Sequence, residues 1–71
     1  MTDLGGKTVL VSGAAGAIGA AVVAAVRGAG GRAIATDLPG RPGIDAALDV
    51  TVETDWQRVT GGLDRLDGLV N

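Results

Sequence analysis

The sequence has no cysteine, histidine, tyrosine or phenylalanine. Without cysteine and histidine there are no disulfide staples, no thiolate nucleophile, no imidazole acid–base group and no zinc centre built from the usual ligands. The lack of cysteine fits a reducing compartment, and a cytoplasmic location is expected. Positive charge is sparse and interspersed with acid, for a formal net charge of −2, so no basic patch offers itself to nucleic acid. Residues 1–4 lack the basic start and apolar core of a signal peptide. The longest apolar stretch, residues 14–26, carries Gly16 and Gly19 and is too short to cross a bilayer core of about 30 Å. Neither a membrane nor a nucleic acid is therefore expected as a partner.

What remains is a small, aliphatic chain. Of its 71 residues, 46% are hydrophobic, too many for a disordered tail, and Trp56 is the only aromatic ring. Alanine, glycine and valine carry the apolar content, which suits helices lying close on a sheet. A domain of this size buries roughly 60% of its unfolded surface and sits near the limit of stability. Disulfides and metals being excluded, a partner subunit is the remaining means of support.

Residues 7–12 form an unbroken β-branched and apolar run closed by Gly13, the pattern of a strand covered on both faces. Residues 13–16 are a tight glycine–alanine turn. From Ala17 the spacing becomes helical, with Ile18, Ala21, Val22, Ala25 and Val26 recurring. Arg27 and the glycines at 28, 30 and 31 mark the C-terminal end of that helix. Residues 32–36 read as a second strand ending at Asp37. Two prolines and two glycines within residues 38–43 exclude a helix there. A third strand is expected at residues 46–48. A second helix is expected over 51–63, with Trp56, Val59 and Leu63 on one face. Its cap is either Thr54, with Gln57 closing a capping box, or Thr51. Gly61 and Gly62 weaken its end. Residues 68–71 begin a fourth strand. The alternation implies a doubly wound parallel α/β sheet of order 3-2-1-4, with a ligand crevice between strands 1 and 4.

The chemistry sits between the first strand and the first helix, in residues 12–19 (Ser-Gly-Ala-Ala-Gly-Ala-Ile-Gly). Gly13 allows the sharp turn, small residues at 14–17 let backbone approach a phosphate, and Gly19 lets the helix pack tightly. The helix start offers unpaired N–H groups and partial positive charge to an anion. Such a turn alone is weak evidence. Here it follows a buried strand, precedes an alanine-rich helix, and is followed by an acid, Asp37, 18 residues past Gly19. A phosphate loop of the Gly-Lys-Ser/Thr kind does not fit, because the only lysine, Lys7, precedes the strand.

These residues resemble the short-chain dehydrogenases/reductases. That family's turn opens on Thr-Gly and continues through three variable residues to Gly-x-Gly. Here Ser12 stands for the threonine and Ala17 for the middle glycine. The family's Asp-Val pair after strand 3 is matched by Asp49 and Val50, and residues 66–71 look like its lead-in to Asn-Asn-Ala-Gly, ending at the first asparagine. The resemblance spans the chain and implies that residues 1–71 are the N-terminal part of a Rossmann dinucleotide-binding domain. It implies a pyrophosphate path along Gly13, Ala15, Gly16 and Ile18, with Gly19 packing the helix behind it. Asp37 would accept the adenosine ribose hydroxyls, Leu38 would lie against the adenine, and Asp49 and Val50 would meet its edge and face. Asp49 as a turn residue capping strand 3 stays open beside this. Trp56 is read as helix packing, and Asn71 as a brace for the sheet. A carboxylate at Asp37 pairs with a free 2′-hydroxyl and repels a 2′-phosphate, so NAD is expected over NADP, although Arg41 lies in the following loop.

Catalysis in that family depends on a serine, a tyrosine and a lysine beyond strand 4. Ser12 and Lys7 are the only serine and lysine here, and neither is placed for that work. No catalytic residue is expected in this chain. Three possibilities follow: part of a longer, homo-oligomeric oxidoreductase acting on an alcohol or carbonyl substrate; a short NAD-binding module with a sensing or regulatory role; or a structural half-domain completed by another chain.

Overall fold

The β-branched run at the start of the chain forms β1 (Thr8–Val11), which lies at the centre of the fold. A computed structural model describes residues 3–71, and Met1 and Thr2 of the leader reading lie outside them. The elements that follow are α1 (Ala17–Gly28), β2 (Arg32–Asp37), β3 (Ala46–Ala47), α2 (Glu53–Gly61) and β4 (Gly68–Val70). All three strand pairings are parallel and the sheet order is β3-β2-β1-β4. The α/β class and the strand order are those the sequence implied. No helix among the described residues is long and apolar enough to cross a membrane.

Side chains alternate across the pleat, so β1 and β2 each feed two cores. Val11, Ala33 and Ala35 pack with Val23 and Val26 of α1 on one face. Leu10, Ile34 and Leu48 pack with Val59 of α2 on the other, flanked by Trp56 and Leu63. The expected α2 face is therefore present, although the glycine pair ends the helix at Gly61 and Leu63 reaches the core from beyond it.

Two expectations need correction. The first concerns α1, whose inward face is Gly19, Val22, Val23 and Val26; Ile18 is 83% exposed and Ala21 and Ala25 face outward. Alanine gives little contrast to a periodicity reading. The rotation is set instead by Gly19, which presses on the preceding turn. The second concerns α2, whose N-cap is Val52 with no side-chain cap. Thr51 is unavailable because Asp49 Oδ1 accepts both its hydroxyl (2.6 Å) and its N–H (2.9 Å), and Thr54 lies inside the helix. Glu53 and Asp55 in the first turn complement the helix dipole instead.

Side chains finish the backbone where strands are short. Arg58 donates to Ala47 O at 2.6 Å, and Asp45 accepts the N–H of Ala35 at 2.8 Å. These bonds occupy backbone groups on β3 and on the part of β2 that β3 does not reach. Among the described residues β4 pairs only with β1, and its Leu69 and Val70 are 52% and 39% exposed.

Candidate functional site: a crevice at the strand C-termini

Parallel strands bring their carboxyl ends to one edge, where the chain leaves for α1 on one face of the sheet and for α2 on the other. That geometry leaves an open crevice of about 570 Å³ lined by Ser12 and Gly13 after β1, Asp37 and Leu38 at the end of β2, residues 48–51 after β3, and Asn71 after β4. It spans the ends of all four strands, extending well past the expected cleft between strands 1 and 4 onto the β2–β3 side.

The glycine turn forms one wall. Gly13 has φ +65°, a left-handed conformation that costs glycine little. Ala14 N–H donates to Thr36 O at 2.9 Å, and Gly16 N–H returns to Gly13 O at 3.1 Å. Gly16 is the N-cap of α1, with no side chain capping it and no acid in the first helical turn. The leading N–H groups of a helix have no partner within it, so this end keeps its donors and its partial positive charge. A Cβ on Gly19 would fall on the Gly13 carbonyl oxygen and 2.8 Å from Ala14 Cα, so the helix start lies directly against the turn.

Asp37 faces this wall from β2. Its Oδ1 accepts Leu38 N–H at 2.7 Å and its Oδ2 accepts Ala15 N–H at 3.0 Å. Those two bonds, the Leu38 one foremost, hold its carboxyl below the ordinary aspartate range; partial burial opposes them and Arg41 adds to them. The far wall is the loop after β3. Asp49 is likewise held low, first by the Thr51 hydroxyl and then by the Thr51 N–H. α2 fixes this loop from below: Asp55 accepts Asp49 N–H at 2.9 Å, and the Trp56 indole donates to Val50 O at 2.9 Å. Leu38 and Val50 are 42% and 43% exposed beside the crevice. They offer apolar surface to a flat ligand.

Of the residues singled out from the sequence, Gly13, Asp37, Leu38, Asp49 and Val50 line the crevice. Ala15 meets it through Asp37, Gly16 opens the helix beside it, and Gly19 packs behind the turn. Ile18 projects outward from the first turn of α1. Asp49 also makes the turn after β3, so the two readings of that residue describe compatible roles. Trp56 packs on α2 and supports Val50, and Ser12 Oγ donates to Asn71 Oδ1 at 2.6 Å, tying β1 to β4. Sequence reasoning gave three residues no place in the site, having read Thr51 only as a candidate helix cap. Leu48 and Thr51 line the crevice, and Thr36, fully buried, donates to Val11 O at 2.9 Å. The Asp-x-Thr spacing of Asp49 and Thr51 is a recognisable side-chain turn signal. Thr36 carries no such sign.

Asp37, Asp49 and Asp67 are all held low, Asp67 by Arg65 foremost and by the N–H of Thr8. A carboxylate that ionises more readily when folded contributes stability above its unfolded pKa and loses it as pH falls through its folded one. With no histidine, urea midpoints are expected to be flat between about pH 5 and 7 and to fall below about pH 4. A midpoint that rises on acidification from pH 5 to 3.5 would contradict these assignments.

Compared with family models and with solved structures, the chain matches none.

Proposed function

We propose that this chain is the NAD-binding, Rossmann-like part of an oxidoreductase similar to the short-chain dehydrogenases/reductases. One observation carries the reading: a single crevice is lined by Gly13 of the glycine turn and by the Asp37 carboxylate at the end of the neighbouring strand, and that carboxylate is bonded to the turn that leads into the uncapped start of α1. Its volume falls within the range of about 300–1,000 Å³ usual for small-molecule sites.

In this reading the turn and the first N–H groups of α1 take the pyrophosphate, and Ile18 flanks the path toward the nicotinamide. Asp37 accepts ribose hydroxyls: each carboxylate oxygen can accept twice and has one protein donor so far. Leu38 and Val50 enclose the adenine, and Asp49 meets its edge. Bound nicotinamide would supply the hydride acceptor or donor. This chain's own residues bind and orient, and proton transfer belongs to groups outside it. The complete protein is read as a cytoplasmic homo-oligomer acting on an alcohol or carbonyl.

Titration with NAD, NADP and ADP-ribose, followed by Trp56 fluorescence, tests the proposal. NAD and ADP-ribose should bind alike, because the assigned contacts lie mostly on the ADP-ribose half. NADP should bind more than about tenfold more weakly, since its 2′-phosphate meets the Asp37 carboxylate. Asp37→Ala combined with Leu38→Arg should reverse that order. Failure to bind either NAD or ADP-ribose would sink the reading; tighter binding of NADP than NAD in the wild type would remove Asp37 from its assigned role.

A further inference from the structure

We propose that Asp37 is also a positioning residue for the phosphate side of the crevice, coupling the ribose end to the glycine turn through Ala15. The inference rests on the reading of the crevice as a site for a ribose-linked pyrophosphate.

The N–H groups of residues 14–16 donate three hydrogen bonds. Two are backbone to backbone, Ala14 N–H to Thr36 O and Gly16 N–H to Gly13 O. The third, Ala15 N–H to Asp37 Oδ2 at 3.0 Å, is the one side-chain bond to the turn among the described residues, and it spans 22 positions of sequence. A turn with glycine at both ends has wide conformational freedom, so a charge-assisted tether has much to restrict. The tether is itself anchored, because Oδ1 of the same carboxylate accepts Leu38 N–H at 2.7 Å. A lone pair remains on each oxygen for a ribose hydroxyl. Ribose and Ala15 therefore share one carboxylate. Ordering it from the ribose side orders the turn, so a phosphate arriving there meets a smaller entropy cost, which is positive cooperativity.

Electrostatics alone points the other way. Removing a negative charge beside an anion site should strengthen anion binding. Weaker binding on removal of Asp37 is therefore the signature of positioning.

The experiment uses inorganic pyrophosphate, which touches no ribose, and adenosine, which carries no phosphate. In the wild type each is expected to raise the other's affinity by about fivefold or more, the low end of ordinary coupling. Asp37→Ala should abolish that cooperativity, weaken pyrophosphate and speed hydrogen exchange at the Ala15 amide. Asp37→Asn removes the same charge but keeps an acceptor for Ala15, and should restore much of the pyrophosphate affinity and the exchange protection. Independent binding of the two fragments, with pyrophosphate affinity equal or higher in Asp37→Ala and only NAD weakened, would overturn the coupling while leaving the reading of the crevice intact. Wild-type protein that binds neither NAD nor pyrophosphate would overturn both. Should Asp37→Ala fail to fold, the wild-type cooperativity and the Asp37→Asn variant decide the matter alone.

Discussion

Gly19→Ala is expected to lower the melting temperature by about 5–20 °C, although it adds one methyl group to a helix that alanine should favour. The added Cβ would fall on the Gly13 carbonyl oxygen and 2.8 Å from both Gly13 C and Ala14 Cα. Those neighbours are backbone, so no side chain can swing aside and α1 must lift from the turn. Overpacking of this kind costs about 1–3 kcal/mol, a large share of the stability of so small a domain. Gly28→Ala, at the last residue of the same helix, provides the contrast. A Cβ there meets nothing within 4 Å and the residue is helical, so a gain of about 0.4–1 kcal/mol is expected. Thermal melts followed by circular dichroism should separate the two in opposite directions. Equal melting temperatures for Gly19→Ala and the wild type would show that the helix does not lie against the turn as described.

Gly13→Val should weaken NAD by about a hundredfold or more, two tenfold steps or beyond, while secondary structure survives. No group beyond the adjacent residues blocks the side chain, since a Cβ at Gly13 meets no atom within 4 Å. Gly13 lines the crevice, so the valine would narrow the place where the phosphates are proposed to pass. A β-branched residue at φ +65° adds strain of about 1–3 kcal/mol. Gly13→Asn separates the two effects, because asparagine tolerates the left-handed region yet still projects a side chain into the crevice. It should keep most of the stability and lose the binding. Calorimetric titration that finds comparable NAD affinity in wild type and Gly13→Val would mean that the phosphates lie elsewhere.

The local pattern of the chain was enough for the sheet and for most of the crevice. Unbroken apolar runs ending at Gly13 and Asp37 are the pattern of strands covered on both faces, and a helical stretch between two of them is the pattern of a parallel crossover. Because parallel strands end on the same edge, the residues just after them (Gly13, Leu38, Asp49, Val50) had to gather there. The sequence by itself therefore determined the α/β class and the main lining residues, whereas the strand order followed only on the further assumption of a doubly wound sheet. Contacts between particular atoms decided the rest, two of them local and one distant in sequence. Gly19 against the Gly13 carbonyl set which face of the alanine-rich α1 turned inward, a choice that alanine periodicity is too uniform to make. Asp49 took the Thr51 hydroxyl, which left α2 to begin at Glu53 without a side-chain cap. Asp37 reached back to Ala15, a bond whose partners are 22 residues apart. Periodicity records which residues share a face. It carries no information about which carboxylate meets which N–H once two connections fold side by side.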